Sequence, residues 1–301
     1  MTFYQFLSFF ICFIPCSIFC KANQIDSLKT DEQVLEFLNK TFPTKKENPY
    51  YFDHYYNETI KVADSLKVKK WIKIDIDQNG ETDLLVFEGN YLQNIFVILS
   101  KNGKLEKVSA CRDECKYHWI YPVISRINKK PVILLYYQSQ YGYDDSTKHF
   151  LYTPLATDTI TFWQGRFLNY INELKTYKIQ SIEIYNDGIC ESECPRINIK
   201  IDVNNFENQC SKELQWDSKP KKFTGKLSST EIKKMLSIFG YSNFSELPEQ
   251  FSITCSDQPT TTLTIKYNNG RVKTIRDNGS FGNFTLAEIY KITDKINWVP
   301  Q

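Results

Sequence analysis

With 301 residues, 42% hydrophobic and 24% charged, the chain is long enough for two ordinary domains and too apolar to be disordered. A formal net charge of only +2 excludes the strong positive field of a nucleic-acid-binding protein. Aromatic residues make up 15%, with 19 Tyr and 21 Phe, which suits a β-rich protein because rings pack well on pleated surfaces.

The chain opens with "MTFYQFLSFFICFIPCSIFCKA", an apolar run that ends at Lys21 and gives way at once to polar sequence. Residues 1–22 read as a signal peptide, with Cys20 and Ala22 at the two recognition positions for cleavage. No Lys or Arg precedes the apolar run, so only the terminal amine is positive. Two alternatives stay open: lipidation of Cys20, or retention of the segment as an anchor, for which about 18 apolar residues is the short limit. The expected location is extracytoplasmic (periplasmic, secreted or at the surface of a bacterial envelope), with no membrane span after cleavage. Three of the nine cysteines fall in this leader, leaving Cys111, Cys115, Cys190, Cys194, Cys210 and Cys255. An even number in an oxidising compartment favours disulfides; proximity suggests pairing 111 with 115 and 190 with 194, which leaves 210 and 255 as a third pair that the sequence does not decide.

After the leader, Val34, Leu35 and Leu38 stand at helical spacing behind Thr30 and Gln33, which form a capping-box pattern, so one leading helix is expected. From about residue 70 the pattern changes to short β-like runs: "WIKIDI", "DLLVF", "NIFVILSKNGKLEKV", "WIYPVISRI", "PVILLYY" and "DTITFWQGRFLNYI". The "KNGK" and "WQGR" turns mark hairpins, because Asn-Gly and Gly supply positive φ. Residues 23–175 are therefore expected to form an antiparallel β-rich meander. A second unit, 178–301, alternates with period two in "IQSIEIYND" and "RINIKIDV" and folds back at "KYNNGRV". Ser228 with Glu231 and Thr285 with Glu288 announce two helices, the first ending at Gly240. Their apolar stripes predict a small antiparallel sheet with both helices on one face, so the fold class is α+β throughout.

"SIEIYNDGICESECPRINIKI", "FTGKLSSTEIKKML", "CSDQPTTTLTIKYNNGRVKTIRDNG" and the closing helix, taken in that order, resemble an uncharacterised domain-of-unknown-function family of secreted and lipid-anchored bacterial proteins. The resemblance spans about 180–299 and implies a fold but no reaction.

Four groups of residues carry candidate chemistry. Cys190 and Cys194 flank Glu191 and Glu193, whose charges disfavour a thiolate; a strand follows, and no histidine occurs after His149. These features favour a structural staple worth about 2 kcal/mol over a redox or metal site. In "DIDQNGETDL", Asp75, Asp77, Asn79 and Asp83 alternate about Gly80, with Glu81 adding a backbone carbonyl, an oxygen-rich set suited to a structural Ca²⁺. Position twelve of the loop is Val86, which excludes an EF-hand. Residues 71–87 look like the strand–loop–strand calcium element of integrin-type bacterial repeats, and the competing reading is a polar turn held by Asx bonds. Cys111 and Cys115 with His118 and His149 offer a zinc set if the thiols stay reduced. Tyr136, Tyr137, Tyr141 and Tyr143 with Asp144 and Asp145 suggest a sugar-binding face, against the ordinary reading of packed strand tyrosines.

Nucleophile elbow, P-loop, dinucleotide fingerprint and His-Glu-x-x-His motifs are all missing from the sequence. The reading that follows is a non-enzymatic exported protein that binds an envelope protein or glycan or supports the envelope. An envelope glycan-acting hydrolase and a thiol–disulfide or metal-handling protein remain as alternatives.

Overall fold

The computed structural model describes residues 23–43, 50, 57–88, 94–111, 119–138, 140–144, 146, 149–189, 194–214, 220–252, 258–280 and 282–301. Three helices lead: α1 (Gln24–Ser27), α2 (Asp31–Thr41) and α3 (Asn57–Ser65). Thr30 caps α2 by accepting from the Gln33 N–H at 3.4 Å, while the Gln33 side chain accepts from the Lys29 N–H at 2.7 Å, one residue short of a closed capping box. The expectation of a single leading helix missed α1 and α3, which are shorter than a periodicity window.

Strands β1 (Trp71–Ile74), β2 (Asp83–Glu88), β3 (Asn94–Lys101) and β4 (Lys104–Ser109) form a four-stranded antiparallel sheet in chain order. Its two central strands are apolar on both faces because both faces are covered. Leu84, Val86, Phe96 and Ile98 pack beneath Ile25, Val34, Phe37 and Leu38 of α1 and α2. Leu85, Phe87, Ile95 and Val97 meet a second sheet on the other side.

That second sheet has the order β10-β9-β6-β5, built from β5 (Trp119–Ile127), β6 (Lys130–Gln138), β9 (Ala156–Trp163) and β10 (Arg166–Asn169). The hairpin of β7 (Gln140–Asp144) and β8 (His149–Tyr152) branches from it between β6 and β9. The turns at Asn102-Gly103 and Gln164-Gly165 adopt positive φ, as their sequence predicted. The β5–β6 turn uses Asn128 and Lys129 in the same conformation without a glycine.

The remaining strands are β11 (Ile179–Asn186), β12 (Arg196–Asp202), β13 (Glu207–Leu214), β14 (Lys221–Gly225), β15 (Gln250–Phe251), β16 (Thr260–Tyr267), β17 (Arg271–Asn278) and β18 (Val299–Pro300). They form one sheet of order β15-β17-β16-β11-β12-β13-β14-β18, antiparallel except for the short β15–β17 pair. Ile182, Ile184, Ile199, Ile201, Leu263 and Ile265 line one face, covered by α4 (Ser229–Tyr241) and α5 (Phe284–Thr293). Ser228 and Glu231 form the predicted capping box of α4. Two helix boundaries differ from expectation. Gly240 lies inside α4, which runs on to Tyr241, and α5 is capped by Asn283, whose side chain accepts from the Leu286 N–H at 2.9 Å, two residues before Thr285. The architecture is thus mostly antiparallel sheet with few helices, a β-rich α+β fold.

The β9–β10 hairpin meets the helical layer of the large sheet. Leu168 of β10 belongs to the core beneath α4 and α5, whereas Phe284 of α5 belongs to the core between the first two sheets. Asn169 and Thr285 exchange hydrogen bonds, Thr285 N–H to Asn169 Oδ1 at 3.2 Å and Asn169 N–H to Thr285 Oγ1 at 3.3 Å. The Trp163 and Tyr241 rings lie 4.9 Å apart. Asp277, fully buried at the end of β17, accepts the Gly282 N–H at 2.9 Å and so fixes the approach to α5. A Cβ at Gly282 would stand 2.5 Å from Asp277 Oδ2, so this approach requires glycine. Leu168→Ala should therefore lower the unfolding free energy by about 2–5 kcal/mol in urea melts. A loss below about 0.5 kcal/mol, the scale of a surface change, would show that the hairpin is not packed into the helical core.

Candidate functional site

The loop between β1 and β2 gathers three carboxylates. Strand β1 stops at Ile74, so Asp75 and Asp77 leave the sheet, and Asp83 returns as the first residue of β2. One oxygen from each of Asp75, Asp77 and Asp83 lies within 4.8 Å of the others. Oxygens bound to one Ca²⁺-sized ion at 2.3–2.6 Å are at most about 5 Å apart, so the three side chains fit a shared hard cation.

Asp83 is fully buried, and both its oxygens are engaged: Ile76 N–H donates to Oδ2 and Ser100 N–H donates to Oδ1, each at 2.8 Å. Burial raises its carboxyl to about 6, Asp77 and Asp75 push in the same direction, and the two backbone donors oppose them. Asp77 is also raised, first by burial, with the charge of Asp75 adding to it.

The Asn79 and Glu81 side chains hold the turn. The Asn79 Oδ1 accepts from Glu81 N–H at 2.7 Å, and its amide nitrogen donates to Asp77 Oδ2 at 3.1 Å and to the Ser100 carbonyl at 2.7 Å. The Glu81 carboxylate accepts from Ser100 Oγ at 2.7 Å and from Asn102 N–H at 2.9 Å. Both residues thereby tie the loop to the β3–β4 hairpin and stand outside the triad. Gly80, at φ +86°, supplies the sharp turn and donates its N–H to Asp75 Oδ2 at 3.0 Å. Asn23 completes the frame by donating its side-chain amide to the Thr82 carbonyl. Ser100, Asn102 and Asn23 carried no signal in the sequence, since their role depends on strand pairing.

The cysteines divide. Cys194 is disulfide-bonded, and Cys190 lies outside the described residues. Cys210, whose pairing with Cys255 the sequence left open, is a buried free thiol on β13, and Cys255 lies outside the described residues. Its side chain points into the core of the large sheet, and burial pushes the thiol up to about 11, so it is inert as a nucleophile. Cys111, two residues past β4, packs half-buried against the core between the first two sheets, and its expected partner Cys115 lies outside the described residues. Cys115 and His118 of the candidate zinc set lie outside the described residues, and His149 lies on β8.

The expected tyrosine face divides for a geometric reason. Tyr136 and Tyr137 are consecutive on β6 and so point to opposite sides of the sheet, and Tyr137 packs against the core. Tyr141, Tyr143 and Asp144 lie on β7, and Asp145 lies outside the described residues.

Residues 180–297 match a family model described as a domain of unknown function (DUF6438). The match runs from the start of β11 to just beyond α5, and so covers most of the large sheet and both helices. It agrees with the resemblance to an uncharacterised domain family drawn from the sequence. Neither the curated proteins nor the solved structures contain a match to this chain. The DUF6438 region excludes the acidic loop and the β9–β10 hairpin that contributes Leu168 to its core.

Two outcomes follow. The folded state binds the Asp83 proton more tightly than an unfolded Asp near about 3.9, so the linked stability is present below about pH 4 and lost as pH rises to about 6. In chelator-treated protein the melting midpoint should rise as pH falls from about 7 to about 5, by more than in Asp83→Asn; parallel profiles would contradict the assignment. Iodoacetamide should alkylate Cys210 only after denaturation, and native labelling read by peptide mass spectrometry would contradict its inert burial.

Proposed function

We propose that the chain is an exported, non-enzymatic binding or envelope-structural protein of two units, 23–175 and 178–301, whose first unit is braced by a Ca²⁺ at Asp75, Asp77 and Asp83. The convergence of those three carboxylate oxygens within 4.8 Å carries the cation reading. Hard oxygen donors on a glycine turn suit Ca²⁺ better than a softer metal, and residues 71–87 resemble the calcium loop of integrin-type bacterial repeats. The ion would offset mutual repulsion among three carboxylates and the burial of Asp83. It would act as a brace, since the loop side chains are already bonded to one another and to the β3–β4 hairpin.

Export rests on the apolar leader at 1–22 and on the disulfide at Cys194. In this reading Cys190 partners Cys194 and closes the loop between β11 and β12, with no catalytic part. The partner is an envelope protein or a glycan.

Calcium should raise the melting midpoint of the chelator-stripped protein. The gain follows mass action, about 2.7 kcal/mol at a hundredfold excess over Kd. Asp77→Ala, which removes a half-buried ligand and leaves the fully buried Asp83 in place, should abolish the shift. No shift in wild type, or an equal shift in Asp77→Ala, would refute the cation.

A further inference from the structure

The eight-stranded sheet has a second face, opposite the helices, and a groove of about 460 Å³ is cut into it across β16, β11, β12 and β13. Strand pairing sets Lys266, Ser181, Asp202 and Glu207 in one row across those four strands, Lys266 opposite Ser181, Ser181 opposite Asp202, and Asp202 opposite Glu207. Their neighbours Ile182, Ile201 and Ile265 point into the core, so this row points into the groove.

The row is electrically polarised. Asp202 and Glu207 are like charges directly across a strand pair, an arrangement that costs stability unless a cation intervenes. Among the described residues no ion pair joins either carboxylate to Lys266, which stands two and three strands away, about 10 and 14 Å. The adjacent row is self-neutralised by Lys200 and Glu183 at 3.2 Å. Asp202 is held in place by the Asn204 N–H at 2.9 Å. On the helix side of the sheet, behind the groove, the Asn208 amide is bonded at both ends to the Leu227 backbone, at 2.8 and 3.0 Å. The groove thus has an acidic end and a basic end, and among the described residues no ion pair neutralises either.

We propose that this groove binds a short zwitterionic peptide, its α-ammonium between Asp202 and Glu207 and its α-carboxylate on Lys266. An extended chain advances about 3.3–3.6 Å per residue, so three or four residues span the row. Ser181, between the charged ends, and Gln209, two residues beyond Glu207 on β13 in the adjacent row, offer hydrogen bonds to the peptide backbone. The ammonium turns the Asp202–Glu207 repulsion into attraction on both sides. A neutral glycan would leave both charged ends uncompensated. This inference stands independently of the proposed calcium and of where the protein resides.

The test is NMR titration of the purified chain with trialanine, its N-acetyl form, its C-terminal amide and the doubly blocked peptide. Saturable binding in the millimolar range is expected, weakened about fivefold by either block. Lys266→Gln should remove the effect of amidation and Glu207→Gln the effect of acetylation; both side chains are exposed, so folding is retained. No saturable binding, equal binding of the doubly blocked peptide, unchanged binding in both variants, or tighter binding of a neutral chitooligosaccharide at the same resonances would each overturn the proposal.

Discussion

A single buried carboxylate organises the first sheet. Asp83 sits without solvent contact at the start of β2, and its two oxygens hold the backbone of Ile76 in the preceding loop and of Ser100 at the end of β3. The β1–β2 connection is thereby fastened to the β3–β4 hairpin, and Asn79 and Glu81 fasten it again through Ser100 and Asn102. Burying the charge opposes folding, and the raised proton affinity of Asp83 is the visible sign of that cost. Two further carboxylates brought close to it increase the strain, and a divalent cation would relieve it. Packing above and below the sheet, from α1 and α2 on one side and the second sheet on the other, holds the loop in this arrangement.

Continuity between the two halves comes from α5 and β10. Each contributes a side chain to the other's core, Phe284 in one direction and Leu168 in the other, and the Asn169–Thr285 exchange closes the seam between them. The connecting segment is held along its length: Asn243 binds the Lys175 N–H and the Glu173 carbonyl, and Asn268 binds the Lys178 N–H. The DUF6438 region therefore borrows part of its core from residues before it. Its open sheet face, by contrast, carries no covering element among the described residues, and the groove of the proposed peptide site lies there.

Local signals in the sequence were reliable where one interaction sufficed. The capping box at Ser228 and Glu231, the hairpins at Asn102-Gly103 and Asn269-Gly270, and the period-two strands β11 and β12 all depend on residues close in sequence. Asp83 was legible as one oxygen donor of the acidic loop, but its burial depends on Ser100 across the sheet. Asn79 and Glu81 carry oxygen chemistry that is legible in the sequence, but the bonds of their side chains to Ser100 and Asn102 depend on strand pairing. Tyr136 and Tyr137 look like a patch in one dimension and divide across the pleat in three. Cys210 alternates with outward neighbours on β13 and so points into the apolar core, which no count of cysteines reveals.

The proposed brace requires Asp75, Asp77 and Asp83 to act as one cation site. Equilibrium dialysis of the chelator-stripped protein against radioactive calcium tests it most directly, because it counts bound ions without relying on stability. A single saturable ion per chain in the wild type, lost in Asp75→Asn, is the predicted result. No bound calcium, or the same stoichiometry and affinity in the variant, would contradict it.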